Sequence, residues 1–363
     1  MTRVWDVPVH DSTRVRDARV AAEGAAALAG LDGQRTADAA LVATELATNL
    51  LKHARGGQLL VEAVAAPVGR AEARMVQIVA VDHGPGMSDV PAALGDGFST
   101  AGSLGAGLGT CRRLSDDFDL HSVPGRGTVA LARIGGAGAS SGRRDPAGAA
   151  AGPGAPSHSP AAVRAGGINV PFRGGECSGD AWTCVRDGDL LTLMLADGLG
   201  HGPEAARAST AAVEEVRRSA RLAPAELLRR LDGALRGTRG AAVGVARLDL
   251  RAGRLLFAGI GNIGARLREG DSWRHLLSRP GIVGVHRPAT IPETAAEWAA
   301  DRLLVLHSDG LPSRWTPPAD PRLLSADPAL TAAVTVRDAG SSARPVRDDT
   351  AVAVLSPGPP DRS

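Results

Sequence analysis

The sequence predicts two α+β domains joined by an unstructured connector, and three observations lead there. Residues 135–167, GGAGASSGRRDPAGAAAGPGAPSHSPAAVRAGG, have no periodicity and no large apolar side chains, so they cannot bury a core. On both sides, runs with apolar residues at helical spacing are mixed with short apolar runs of strand length. After the connector, many strands surround only two helical runs, a sandwich pattern rather than a βαβ alternation. The 363 residues suffice for two such domains, each with its own core. The boundaries that follow are a first domain over 1–134, a flexible linker over 135–167, a second domain over 168–357 and a tail over 358–363.

In chain order, DSTRVRDARVAAEGAAALAG and RTADAALVATELATNLLKHA read as helices, and QLLVEAVAA and RMVQIVAVD as strands. A Gly-rich segment, the helical LGTCRRLSD and the strands DFDLHSV and GTVALARI complete the first domain. The second offers the strands AWTCVRDG, LLTLMLAD, AAVGVARLDL, RLLFAGIG, DRLLVLHSDG and TAVAVLS. Its helical runs are PEAARASTAAVEEVRRSARL and PAELLRRLDGALRG.

Formal net charge is +2, which argues against attraction to nucleic acid or an anionic membrane. There is no basic N-terminal segment followed by an apolar run and no stretch of membrane-spanning length, so a soluble, cytoplasmic protein is expected. Cys111, Cys177 and Cys184 are an odd number without metal-ligand spacing and are expected as free thiols. Lys52 is the only lysine among 41 basic residues, a hint that its compact ammonium has a use that arginine cannot serve.

In the first domain no G-x-x-x-x-G-K-[ST] occurs, so any ATP site there is of another kind. Glu45 and Asn49 in ATELATNLLKHA share one helix face, with Lys52 three residues on. Asn is a poor helix former, and its amide in an apolar helix suggests a ligand; an exposed polar stripe would look the same. VAVDHGPGM ends a strand on Asp82 and continues through Gly84 and Gly86. That carboxylate could accept from an adenine amine while the glycines admit the ring, but D-x-G-x-G is equally a tight turn. GDGFSTAGSLGAGLGTCRRL is glycine-dense and becomes helical near Leu108, so the helix start after Gly105 and Gly107 offers free N–H groups for phosphate. PGRGT places Thr128 before the last strand.

In this order and spacing the elements resemble the GHKL (Bergerat) ATP-binding fold, an α/β sandwich, and within it the RsbT-like switch-protein serine kinases and anti-sigma factors. The resemblance covers nearly all of residues 10–134. It implies that Asn49 ligates the Mg²⁺ of bound ATP, that Asp82 holds adenine, that Gly84 and Gly86 line the base pocket and that Thr128 supports the base. It implies a lid over the phosphates from Ser99, Thr100, Gly102, Ser103, Gly105, Gly107 and Leu108. Glu45 would accept the substrate serine's proton, and Lys52 with Mg²⁺ would neutralise charge during transfer. A sensor histidine kinase would need a preceding helical hairpin with a phospho-accepting histidine, and a topoisomerase or chaperone ATPase a transducer domain after it; the sequence suggests neither.

The second domain sets aspartates at strand boundaries: Asp180 in SGDAW, Asp197 in LADGLGHGPEA, Asp309 in LHSDGL, and Asp348 and Asp349 in VRDDTAVAVL. Asp187-Gly188 and Asp232-Gly233 read as ordinary turns. Asp197 and Asp309 instead follow fully apolar runs. Gathered at one end of a sandwich, such carboxylates would repel unless hard cations sat among them, and an all-oxygen set suits Mg²⁺ or Mn²⁺ rather than zinc. His201 reads as a loop residue first and an acid or ligand second.

These segments, with TRGAAVGVA and FAGIGNIGARL, resemble in order the metal-dependent PPM (PP2C-like) serine/threonine phosphatases of the bacterial RsbX/SpoIIE branch, an αββα sandwich, over about 170–355. The resemblance implies two Mn²⁺ or Mg²⁺ ions bridged by Asp180 and Asp197, with the Gly198 carbonyl, Asp309 and Asp348 completing the set and Asp349 the weaker candidate of its pair. The ions would activate a water and hold the phosphate. Arg173 is the one, weak, candidate for the phosphate-binding arginine of eukaryotic relatives.

Together the resemblances imply opposed activities on one chain, a kinase and a phosphatase for a STAS-domain antagonist or a similar switch protein in bacterial sigma-factor and stress signalling, with a sigma factor as a further partner. Neither nucleic acid nor membrane is expected as a partner. The rival reading is an ATP-responsive sequestering module in which only the phosphatase half is catalytic. A Gly-rich linker of about 30 residues spans roughly 30 Å, which would keep each half at about millimolar concentration relative to the other.

Overall fold

The computed structural model describes residues 3–66, 74–94, 107–136, 163–172, 175, 177–340 and 348–358. In the first domain, strand β1 (Val4–Val9) is followed by helices α1 (Thr13–Ala29) and α2 (Gly33–Ala54), strands β2 (Gly57–Ala65) and β3 (Arg74–Val81), helices α3 (Val90–Ala93) and α4 (Gly107–Leu114), and strands β4 (Asp117–Val123) and β5 (Gly127–Gly135). Asp32 caps α2 by accepting from the Arg35 N–H at 2.8 Å, and the helix stops where Arg55 turns left-handed at φ 62°. The strands form one antiparallel sheet in the order β1-β2-β3-β5-β4.

The second domain is a sandwich of two five-stranded antiparallel sheets. One has the order β13-β10-β9-β8-β7, from Thr294–Glu297, Arg254–Ile260, Ala241–Asp249, Leu190–Gly198 and Asp180–Asp187. The other has the order β12-β11-β14-β15-β6, from Ser272–Leu276, Gly264–Glu269, Leu303–His307, Thr350–Pro357 and Val163–Val170. Helices α5 (Pro203–Ser219) and α6 (Pro224–Ala234) cover the first sheet, and α7 (Pro328–Ala339) covers the second.

Strand periodicity assigns each core to a pair of layers. Val76, Ile78, Ala130 and Ala132 face α1 and α2, while Val79, Val81, Val129 and Leu131 on the same strands face the other way and meet α7. Val352 and Val354 of β15 meet α7 from the opposite side, and Ala351, Ala353 and Leu355 fill the space between the sandwich sheets. Met194, Ala196, Val243 and Val245 pack under α5 and α6. The two domains are therefore docked, with α7 serving as a layer in both. Every residue from Pro328 to Arg337 is buried.

Polar contacts cross the same interface. Arg133 of β5, 3% exposed, gives a bidentate pair to Asp327 at 2.7 and 2.8 Å and donates to Gln77 at 2.9 Å. Gln77 donates to Glu62 and to the Gly167 carbonyl, both at 3.0 Å, and His121 lies 3.0 Å from Asp320.

Several elements were not read from the sequence, among them β1, β12 and β13, and two further differences bear on how the domains meet. Strand β6 begins at Val163, inside the stretch read as linker. Its glycines serve close approach rather than flexibility: a β-carbon on Gly166 would lie 2.6 Å from the Ala329 nitrogen, and one on Gly167 2.6 Å from the Val352 carbonyl oxygen. The second is α7 itself, which was not expected. Linker residues 137–162 lie outside the described residues.

Candidate nucleotide and metal sites

Helix α2 presents Glu45 and Asn49 on one face, both half-buried, toward the start of α4. A β-carbon on Gly107 would sit 3.2 Å from Glu45 Oε2 and 3.4 Å from Asn49 Oδ1, so the α4 backbone closes directly over both side chains. Among the described residues the buried Asn49 Nδ2 has no hydrogen-bond partner. An amide desolvated and unpaired is expensive unless a ligand meets it. Leu108 is half-buried in the same turn.

At the end of β3, Asp82 is 8% exposed and its Oδ1 accepts from the Gly84 N–H at 2.8 Å and the Thr128 N–H at 3.1 Å. Burial raises its carboxyl above the usual range, partly offset by those two donors. Gly86 has φ 68°, and a β-carbon there would collide with the Val123 carbonyl oxygen; one on Gly84 would lie 2.7 Å from the Ala54 α-carbon. Thr128 Oγ1 is 2.9 Å from Ser122 Oγ, which accepts from the Met87 N–H at 2.8 Å. Asp82, Gly84, Gly86 and Thr128 thus form one hydrogen-bonded corner. Lys52 is exposed in the last turn of α2 and makes no ion pair among the described residues. Ser99, Thr100, Gly102, Ser103 and Gly105 lie outside the described residues.

In the sandwich, Asp180 opens β7 and Asp197 lies near the end of β8, directly opposite each other in register. Like charges so placed destabilise a ladder. Asp180 is 1% exposed, and among the described residues its oxygens meet no donor in full hydrogen-bond geometry, although the nearby Ser308 hydroxyl favours its charged form. Burial first, and then the Asp197 charge, push its carboxyl well above the usual range. Burial, followed by Asp309 and Asp348, raises Asp197 to about 7. Gly198 is buried against the Ala205 carbonyl, where no β-carbon would fit.

Gly310 presses on Asp349 and Thr350, which brings the β14 end to the β15 start. Asp309 is exposed and accepts from Asn262 Nδ2 at 2.7 Å. Asp349 accepts from the Phe172 and Gly179 N–H groups at 2.7 and 2.8 Å and so is engaged beside Asp180, whereas Asp348 is exposed. Among the described residues no three ligating side chains already stand at coordination distance. The buried Asp180 facing Asp197 nonetheless fits hard cations, since among the described residues no basic group compensates that pair and the Ser308 hydroxyl only partly offsets it. His201 is exposed and Arg173 lies outside the described residues.

Sequence reading missed Asn262 and His307. Asn262, a lone amide in GIGNIG, could have been noticed for the reason Asn49 was. His307 accepts from the Trp315 indole at 3.3 Å, and burial lowers it to about 4, so it is neutral beside Ser308 and Asp309. The cysteines are free thiols, as expected.

Residues 9–133 match the histidine kinase-like ATPase domain family, and 187–357 match the Stage II sporulation protein E (SpoIIE) family. The serine/threonine-protein kinase RsbT of Bacillus subtilis (strain 168) is 44% identical over 99 residues, 26% of this chain and 71% of RsbT. The chain belongs to the RsbT kinase family. Its RsbT-type half is followed by a SpoIIE-type domain, so one polypeptide joins the two families. Among solved structures, a chain described with the bacterial stressosome, a modular system adapted to control secondary messenger signaling, is 31% identical with TM-score 0.47, covering 53% of this chain and 99% of that one. The PP2C phosphatase domain with a regulatory fragment of SpoIIE from Bacillus subtilis is 15% identical with TM-score 0.44, covering 66% and 69%. No helix of the described residues is long and apolar enough to cross a membrane.

Proposed function

We propose that this chain is a self-contained two-way switch that phosphorylates a serine or threonine of a partner in its RsbT-type half and hydrolyses such a phosphoester in its SpoIIE-type half. One observation carries the reading: two separate sites on the same chain each hold a buried polar group whose needs the described residues do not meet, the Asn49 amide and the Asp180 carboxylate facing Asp197.

In the kinase half, Asp82 would accept from the adenine amine while the Gly84 and Thr128 N–H groups fix its orientation. Asn49 would hold the magnesium of ATP, and the α4 start would offer backbone N–H groups to the phosphates. Glu45, one turn before Asn49, is placed to accept the hydroxyl proton of the substrate side chain. In the phosphatase half, Asp180, Asp197, the Gly198 carbonyl, Asp309 and Asp348 would hold two Mg²⁺ or Mn²⁺ ions. Such ions supply positive charge to the phosphoryl oxygens and lower the pKa of the attacking water. Asn262 keeps Asp309 oriented, and Asp349 keeps Asp180 at the mouth of the sandwich. The partner that suits both halves is a STAS-type antagonist in sigma-factor control, in the cytoplasm.

The test uses the full chain with ATP, manganese and a candidate STAS protein. Wild type should label a serine or threonine and then release the label. Glu45→Ala should abolish labelling while retaining ATP binding, and Asp309→Asn should let label accumulate. Loss of regulation in neither variant would favour the sequestering module.

A further inference from the structure

The formal charge of four carboxylates would offset that of two divalent cations, so a phosphoryl dianion entering that site would gain from a further cation beside the ions. Phosphate is commonly oriented by a guanidinium, whose planar fork can donate to two oxygens at once. The loop behind Asp197 brings one into place. The ladder between β8 and β9 pairs Asp197 with Ala242 and Gly198 with Ala241, and Leu199 continues it by donating to the Gly240 carbonyl at 3.0 Å. Arg239 is therefore the next residue outward on the facing strand. Gly200 bends away with φ 88°, and a β-carbon on it would lie 3.1 Å from Arg239 Nη1. The guanidinium lies across the turn three residues after Asp197.

Its support is local. Thr238 Oγ1 donates to the Leu235 carbonyl at 2.7 Å and accepts from the Gly240 N–H at 3.0 Å, while Gly240 takes φ 80°. This knotted turn sets where the Arg239 stem leaves the backbone. Neighbouring arginines are occupied: Arg207 donates to the Gly237 carbonyl at 2.8 Å, and Arg236 and Arg287 stand 4.0 and 3.6 Å from Asp232. Arg239 is exposed and has no carboxylate within ion-pair distance among the described residues. A guanidinium across the turn that follows Asp197, paired with no acid among the described residues, is available to an incoming anion.

We propose that Arg239 orients the phosphate of the substrate phosphoester, the role for which Arg173 was the sequence candidate. This rests on the metal-dependent phosphatase site proposed above. The experiment measures manganese-dependent hydrolysis of p-nitrophenyl phosphate by the full chain, its inhibition by inorganic phosphate, and the manganese-induced shift in melting temperature. Arg239→Ala should raise both KM and the phosphate inhibition constant about tenfold while the manganese shift stays at the wild-type value. Arg239→Lys should recover part of the loss, since it restores the charge without the fork. An inhibition constant within twofold of wild type in Arg239→Ala overturns the proposal, as does an equal loss of the manganese shift. Asp180→Asn separates the two readings: hydrolysis that survives in that variant overturns the metal site and the Arg239 role together.

Discussion

Removing the negative charge at Asp327 should undock the two domains, and the structure allows the size of the effect to be worked out. Asp327 makes three kinds of contact. Its carboxylate takes both terminal nitrogens of Arg133, it accepts from the Ala329 N–H at 2.8 Å as the cap of α7, and its own N–H donates to Asp119 at 2.7 Å. Burial raises its carboxyl, but the Arg133 charge and hydrogen bonds outweigh that and hold it below the ordinary value. Arg133 has nowhere else to go: Gln77 takes one nitrogen, and Asp117 stands 4.0 Å off with its side chain 28% exposed. Breaking one side of a buried pair costs about 3–5 kcal/mol because the other charge stays desolvated. Movement of Asp117 toward Arg133 would bring the loss in Asp327→Asn to the lower end, about 2–4 kcal/mol, with the cap retained through the amide oxygen. Asp327→Ala should lose the cap as well, roughly 1 kcal/mol more. Urea denaturation of the full chain, followed through far-UV dichroism and tryptophan emission, should change from one transition to two as the halves separate. Replacing the pair together, Arg133→Met with Asp327→Asn, should recover part of the loss. A shift under about 0.5 kcal/mol in Asp327→Asn, with the single transition preserved, would refute the argument, because a surface pair behaves that way and a buried one does not.

Glu62 supplies a pH dependence at the same interface: burial pushes its carboxyl up to about 7 against the pull of Gln77, Asn169 and Arg133. With the folded value above the unfolded one near 4.5, the folded protein holds the extra proton, so this group's penalty grows as pH rises from about 4.5 to 7 and reaches roughly 3 kcal/mol above it. Glu62→Gln should flatten the loss of stability between pH 5.5 and 8 in urea titrations; equal slopes in both proteins would show that Glu62 is solvated. Without metal, Asp180→Asn should melt several degrees higher than wild type, since it removes a buried like-charge pair, and it should show no gain on adding manganese; a scanning fluorimetry trace with the wild-type gain would contradict the site. His83 Nε2 lies 3.1 Å from the Arg337 carbonyl, and Arg126 pairs with Asp338 at 3.2 Å, so α7 ends against the loop that follows Asp82. A non-hydrolysable ATP analogue should therefore slow amide exchange in α7 as well as around Asp82, and exchange in α7 unchanged by the analogue would show that the nucleotide corner is not coupled to it.

The sequence made the sites more legible than the assembly. Asp197 and Asp309 could be singled out because a carboxylate at the end of a mostly apolar strand has to be explained by something outside that strand, and for Asp197 the fold supplies Asp180 in register opposite. Asn49 could be singled out because an amide contradicts its apolar helix. Helix α7 could not. PALTAAVTVRDA is apolar or small on every side, and such a helix has no amphipathic stripe to reveal it; it is buried all round because a sheet of each domain packs against it. The same cause hid the start of β6, where Gly166 and Gly167 in a low-complexity stretch suggested a coil. Glycines chosen for close packing and glycines chosen for freedom are the same letters, and only the neighbouring helix distinguishes them.

Docking through α7 changes how the opposed activities relate. A flexible tether would let a partner released by one half diffuse to the other, but the described halves share a core and cannot separate without exposing Val79, Val81, Val129 and Leu131 on one side and Val352 and Val354 on the other. The helix also sets direction. Its N-terminal end meets Gly166, and Arg164 donates to the Ala326 carbonyl just before it at 2.8 Å. Its C-terminal end meets Gly127 through Arg337 at 3.4 Å. On the phosphatase side, Gly166 pairs with Val354 while Val170 pairs with Thr350, two residues after Asp348. Asp82 follows β3 and Asp348 precedes β15, so each candidate site adjoins a strand that packs against α7, and a change in that packing would reach both.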